Sequence, residues 1–295
     1  MRKLTIIVNC TDRKSALPDP ALRVRSLPSG DMESRFAAWD RSVTAATNRR
    51  RLLDLYQGEA WVQAKGLAAD ARAHGFEVRM LVASAGLGLN EVTQVAPPYA
   101  ATFASGHADS VTDDLKQLPR WWSLLAGRPQ STSLAEHSDD SILMVLSENY
   151  ARAMDQDLTE LAACGGDHFL VGGWRHVDGL NRLAADRDLR ESLGGTVSSL
   201  CLRMARRWLA ERTGPNLWNK HDAAEWSDWA AITRKSENYQ RRQTSDTEIV
   251  EIIESLVEHE PNLSATRALR QVRDSGIACE QKRFGSLFRD VAGAQ

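Results

Sequence analysis

Residues 3–14 read KLTIIVNCTDRK. The run Leu4–Val8 is apolar but for Thr5 and rich in β-branched residues, and it ends at Asn9, Cys10, Asp12, Arg13 and Lys14. A short run with no polar alternation predicts a strand buried on both faces, as in a parallel sheet covered by helices. The polar residues then fall in the loop after the strand, where the sheet holds them and the loop exposes them. An amide, a thiol, a carboxylate and two cations in one such loop make it a candidate site.

Three further runs have the same character: FEVRMLVAS (76–84), SILMVLS (141–147) and HFLVGG (168–173). Helical spacing lies between them. Gly58–His74 places Trp61, Ala64, Leu67, Ala68 and Ala71 on one side and is closed by Gly75. Glu148–Ala163 carries Tyr150, Met154, Leu158 and Leu161, and Thr196–Arg212 turns Leu200, Met204 and Leu209 inward. Strands alternating with helices predict an α/β domain over residues 1–213, with a largely parallel or mixed sheet flanked by helices. Residues 16–57, broken by Pro18, Pro20, Pro28 and Gly30, read as an irregular excursion, as do residues 127–140.

The chain changes character after residue 213. Residues 214–243 read as a linker rich in Trp and Arg, with Trp218, Trp226 and Trp229 followed by Arg234, Lys235, Arg241 and Arg242. Residues 244–295 read as a small all-helical domain. Ser245 and Glu248 form a capping box ahead of Ile249, Ile252, Ile253 and Leu256. A second helix spans Ser264 to Asp274, Gly276 turns the chain, and a third runs from Cys279 to Asp290. This is the pattern of a helix-turn-helix unit that binds nucleic acid. Its cations include Arg267, Arg270 and Arg273, with Lys282 and Arg283 in the first turn of the last helix.

Composition narrows the classes. The 295 residues carry a formal net charge of −2, so nucleic-acid contact needs locally clustered cations. No apolar stretch approaches the roughly 20 residues that span a bilayer, and Leu4–Val8 is too short for a signal-peptide core, so no membrane partner is expected. Cysteines at 10, 164, 201 and 279 form neither CxxC nor a close Cys/His pair. That spacing predicts no metal site and a reducing cytoplasm. Neither G-x-G-x-x-G nor G-x-x-x-x-G-K-[ST] occurs, so no dinucleotide or ATP cofactor is expected.

The loop SAGLGLNEVTQVAPPYAATF (84–103) adds a second group of candidates. Ser84, Gly86 and Gly88 let a backbone pass close to a ligand, and Pro97 and Pro98 stiffen the approach to Tyr99, a ring that could stack on a base. Gly194 and Gly195 before Thr196 mark a helix start that could hold an anion or be an ordinary cap. His176 beside Asp178 reads as an exposed loop pair.

The first strand with its Cys-x-x-Arg-Lys loop, YQGEAW (56–61), SAGLGL, PPYAATF and LSENYARAM (146–154) together resemble the YaaA and archaeosine-synthase superfamily over roughly residues 3–210. The resemblance implies nucleic-acid binding, in some members modification of a deazaguanine base. It implies one base-sized pocket surrounded by Cys10, Arg13, Lys14, Ser84, Gly86, Tyr99 and Asn149. The Lys-Pro-Tyr-x-x-Ser-x-x-His pattern of archaeosine-synthase-like proteins is absent, so lysine transfer is not implied.

Hydrolysis of an N-glycosidic bond needs a carboxylate beside a cationic sugar and donors for the departing base. Asp12 supplies the first, and Asn9 and Asn149 are candidates for the second. Arg13 and Lys14 could hold a phosphate. Cys10 is a candidate nucleophile beside two cations, or a small packing residue. The expectation is a DNA glycosylase that excises a flipped, modified base from duplex DNA, an activity suited to antiviral defence. Arg234, Lys235, Arg241, Arg242, Lys282 and Arg283 would grip the DNA backbone. The alternatives are a transferase acting on a deazaguanine-type base and a non-catalytic DNA-binding protein.

Overall fold

Five parallel strands and one antiparallel edge strand form the central sheet of the computed structural model, which describes residues 2–235, 242–260 and 263–292. The strands are β1 (Arg2–Asn9), β2 (Phe76–Ser84), β3 (Gly88–Glu91), β4 (Ser141–Leu146), β5 (His168–Gly172) and β6 (Asn181–Leu183). They lie in the order β3-β2-β1-β4-β5-β6. β1 pairs in parallel with both β2 and β4, while β3 folds back antiparallel on β2. The chain is a mixed α/β protein, and all four strands read from the sequence are present. The two missed strands are short: four residues turned back by Gly88 at φ +86° and three partly exposed residues in β6. Neither is long enough to show a period.

Apart from two single-turn helices, Leu52–Leu55 and Arg190–Leu193, the α-helices of this region are α1 (Met32–Ala45), α2 (Glu59–Ala73), α3 (Leu118–Ala126), α4 (Glu148–Ala153), α5 (Asp155–Cys164), α6 (Leu200–Glu211) and α7 (Lys220–Thr233). The helix expected over 148–163 is two helices meeting at Met154 (φ −92°, ψ 15°), a break that leaves the apolar spacing intact. Residues 16–57 are irregular only in part, because α1 occupies residues 32–45. Asp31 caps α1 by accepting from the Ser34 N–H, and the wholly buried Trp39 donates from Nε1 to the Gly86 carbonyl at 2.7 Å. One indole thereby anchors that segment in the core.

Chain order along the sheet reverses between β1 and β4. Connections from β1 run to one side, through α2 to β2, and those from β4 run to the other. Such a reversal leaves a crevice beyond the carboxyl ends of the two strands, because the loops on either side diverge.

The chain divides into two units, residues 1–235 and 236–295. The expected boundary at 213 and the linker over 214–243 are corrected by α7, which packs within the first unit. Trp208 and Trp218 stack at 5.0 Å with 9° between ring planes, Trp226 lies 5.8 Å from Trp208, and the Arg207 guanidinium sits 3.8 Å above Trp229. Indoles this large are worth several kcal/mol when buried, and a solvated linker would forgo that. The second unit contains α8 (Asp246–His259), α9 (Ala265–Asp274) and α10 (Gln281–Ala292). Ile249, Ile253, Val257, Leu269, Phe284 and Phe288 make its separate core. Its turn at Gly276 (φ +82°) is as expected, but a two-strand parallel pairing of Arg242–Gln243 with Ile277–Ala278 was not. Among the described residues no helix is long and apolar enough to cross a membrane.

One half-buried carboxylate gives a pH-dependent prediction. Asp157 on α5 accepts from Trp122 Nε1 at 2.7 Å, yet burial pushes its carboxyl above the ordinary value of 3.8. A raised folded-state pKa means that the ionised form penalises folding, and the penalty vanishes once both states are protonated below 3.8. Asp157→Asn keeps an acceptor for Trp122 and removes the charge. It is expected to raise Tm at pH 7, with the gain shrinking towards zero as the pH is lowered to that value. Thermal melts across pH check this.

Candidate functional site

The crevice at the sheet reversal is a cavity of about 560 Å³. Asn9, the last residue of β1, and the residues after it to Arg13 form one wall, and Ser147, Asn149 and Tyr150 at the start of α4 form another, directly after β4. Gln57 to Ala60 at the start of α2, Thr102 to Ala104, and Thr196 to Ser198 ahead of α6 add further wall, and Val145, Cys201 and Leu202 also line it. Such a volume accommodates a nucleoside-sized ligand.

Side-chain geometry sorts the residues. The Asn9 carboxamide Oδ1 is buried and has no hydrogen-bond partner among the described residues. Leaving a buried acceptor unpaired costs about 1–3 kcal/mol, which a ligand donor would recover. Cys10 is held by its N–H, which donates to the Ala83 carbonyl at 2.8 Å, and its Sγ lies 3.0 Å from Tyr150 Oη. Burial, and then a charge on Cys10, push the Tyr150 phenol well above its ordinary value, so at neutral pH it remains an O–H group beside the sulfur. Asp12 and Arg13 are exposed at the mouth, and among the described residues neither side chain has a hydrogen-bond or ion-pair partner.

Helix starts add positive potential. Gly58, at φ +98°, precedes α2 and brings no side-chain cap to its first N–H groups. Thr196 and Ser199 make a capping box at the short turn ahead of α6. Glu59 ties the two together by pairing with Arg203 at 2.7 Å and accepting from Thr196 Oγ1 at 3.0 Å. Exposed N–H groups at a helix start favour an anion.

Several expected residues take other places. Asn149 lines the cavity, but its Nδ2 donates to the Phe103 carbonyl at 2.9 Å and so fixes a wall instead of meeting a base. Lys14 turns inward. Its Nζ donates to the Thr11 and Asp12 carbonyls at 3.1 and 3.2 Å and lies 4.4 Å above the Tyr99 ring. Burial lowers its pKa, and a phosphate-holding role is replaced by one of folding the Asp12 loop. Tyr99 is not a stacking platform: it is wholly buried, its hydroxyl bonded to Tyr56 and Ser84. A Cβ on Gly86 would lie 2.6 Å from the Tyr99 ring, so Gly86 is required for packing and not for ligand approach. Ser84, Gly86 and Tyr99 form the layer behind the cavity and not its lining. His176 and Asp178 meet at 3.2 Å in solvent, away from the crevice.

Tyr150, Phe103, Gly58 and Thr196 to Ser198 were not assigned to the cavity wall from sequence. The glycine before an acidic helix start at 58–59 and the Gly-Gly-Thr at 194–196 were the available signals. The expected DNA-gripping cations are engaged within their own units. Arg234 pairs with Asp186, Lys235 with Glu191, Arg242 with Glu248 and Arg283 with Asp246. Arg241 and the Lys282 side chain lie outside the described residues. Residues 236–295 also carry ten carboxylates against eight Lys and Arg, so the second unit as a whole is acidic. Exposed pairs of this kind contribute about 0–1 kcal/mol, so a phosphate could compete for the cations, but none of these four is unpaired. No family model matches the chain, and no curated protein or solved structure matches it either.

Proposed function

We propose that the crevice receives a nucleobase extruded from DNA and that the protein hydrolyses its N-glycosidic bond. The observation that carries this reading is the buried, unpartnered Asn9 Oδ1 in a nucleoside-sized cavity whose mouth holds an unpaired carboxylate and an unpaired guanidinium. An exocyclic amine or ring N–H of a base would satisfy Asn9, the sugar would lie at the mouth, and its phosphate would meet Arg13 and the start of α2. Asp12 would then take a proton from water as the water oxygen bonds to C1′. The C1′–N bond breaks with its electron pair leaving on the base, which takes a proton from solvent water as it departs. Extrusion costs a few kcal/mol, which modified or mismatched bases reduce.

The test is incubation with duplexes carrying different modified bases, followed by scoring of alkali-labile abasic sites and of free base. Release of base from at least one duplex is expected; intact glycosidic bonds on every duplex would end the proposal. Arg13→Ala is expected to raise KM about tenfold with kcat nearly unchanged, as befits a contact made equally in ground and transition states. A second reading is favoured by the Cys10 thiol 3.0 Å from Tyr150 Oη: group transfer onto a deazaguanine-type base, without excision. Mass spectrometry separates the two, because transfer leaves a heavier base in the polymer.

A further inference from the structure

A second cavity, of about 520 Å³, lies between the C-terminal end of α1, the edge strand β3 and the segment after α3. It shares no lining residue with the first. Arg128 is its central feature. The side chain is only 7% exposed, and a single hydrogen bond serves its five N–H donors, from Nε to Asp40 Oδ1 at 2.7 Å. Its two terminal nitrogens make no hydrogen bond among the described residues. Arg49 borders the same space and is held rigidly, donating to the Val43, Thr44 and Ala46 carbonyls that end α1.

The cavity also holds an orphan acceptor. Gln94 Oε1 is buried with no partner among the described residues, although the residue's backbone is fixed: its N–H donates to the Glu91 carbonyl at 3.0 Å and its carbonyl accepts from Leu52 at 2.8 Å. A buried carboxamide oxygen without a donor is costly, and the idle terminal N–H groups of Arg128, which are not themselves fully buried, have the opposite need. Two guanidiniums against the one carboxylate of Asp40 leave the space electropositive. Leu52 and Leu87 supply apolar wall.

We propose that this cavity is a binding site for a small oxyanion that carries a hydrogen-bond donor at its other end. The anionic oxygens meet the Arg128 fork, which is shaped for two-point contact with carboxylate or phosphate, and the donor meets Gln94 Oε1. An α-amino acid and a phosphate monoester or inorganic phosphate share this chemistry.

The test is calorimetric titration of the full-length protein with sodium phosphate and, separately, with glutamate, at matched ionic strength. Phosphate could also enter the first crevice, so both titrations are repeated on Arg13→Ala, where the remaining heat belongs to the second cavity. At least one probe is expected to bind with a Kd near or below about 1 mM, and the arm that binds names the source. Arg128→Lys keeps the charge beside Asp40 but loses the fork, and Gln94→Met keeps the volume but loses the acceptor. Each is expected to weaken binding tenfold or more. Gln94→Met decides the matter if Arg128→Lys does not fold. The proposal is overturned if neither probe binds up to about 10 mM, or if Gln94→Met binds as tightly as the parent protein. Base release from DNA is read separately, so failure here leaves the first site's assignment standing, and the reverse.

Discussion

Asp12→Asn is expected to lower the rate of base release about a thousandfold while DNA binding falls by less than tenfold. The substitution preserves size and shape, but it exchanges one acceptor oxygen for an NH2 donor and removes the charge and the basicity. In the proposed reaction positive charge develops on the sugar as the C1′–N bond opens, and a nearby carboxylate stabilises that charge and accepts the proton of the attacking water. Neither demand exists in the ground state, so the loss falls on kcat and not on binding. Asp12 is suited to the task because among the described residues no side chain hydrogen-bonds to its carboxylate: Lys14, two residues on, bonds to the loop carbonyls, and Lys14 and Arg25 act on the carboxylate only through space. Arg13 beside it is equally unpaired, so Arg13→Ala serves as the contrasting variant, expected to change KM. Single-turnover release of base, measured at saturating protein, separates the two. If Asp12→Asn released base as fast as the parent protein, the carboxylate would have no part in the chemistry.

The sheet was legible because burial on both faces leaves a mark in the residues themselves. Ile6, Ile7, Val8 and their equivalents in β2, β4 and β5 are apolar without alternation, and nothing else in the chain has that form at that length. The crevice was half legible. Asn9 ends a strand, Cys10, Asp12 and Arg13 directly follow it, and strand order then places them at the reversal point. The opposite half was obscured because proximity in sequence cannot tell the lining from the layer behind it. Tyr99 and Tyr150 are both buried tyrosines on segments singled out from sequence, yet only Tyr150 lines the cavity, and the difference lies in which way each ring turns. Lys14 misled for a related reason: a lysine in a polar loop is ordinarily solvated, whereas here two aromatic rings and two carbonyls take its stem and ammonium inward. The tryptophans of residues 218–229 misled by composition, since a cluster of indoles followed by cations looks alike in a linker and in a docked helix.

Gly172→Ala is expected to destabilise the protein by about 3 kcal/mol, a large part of the 5–15 kcal/mol typical of a folded domain. Gly172 ends β5 at φ +94°, a conformation that costs an L-residue roughly 1–2 kcal/mol. An added Cβ would also lie 2.2 Å from the Leu146 carbonyl oxygen and 3.2 Å from Cys201 Sγ. The Leu146 carbonyl cannot yield cheaply, because it is backbone at the end of β4 and already accepts from the Gly173 N–H at 2.8 Å. Moving it would also move Ser147, the next residue and part of the crevice wall. Gly165→Ala is the control: at φ +69° it pays the backbone cost, but its added Cβ would meet nothing within 4 Å. The difference between the two variants in urea midpoint therefore isolates the contact with the end of β4. Because that contact bears on the crevice, Gly172→Ala should lose base release at temperatures where it remains folded, whereas Gly165→Ala should keep it. Equal destabilisation by the two alanines would mean that β4 and β5 can spread at their carboxyl ends, and a crevice whose walls spread so easily could not hold a base against Asn9.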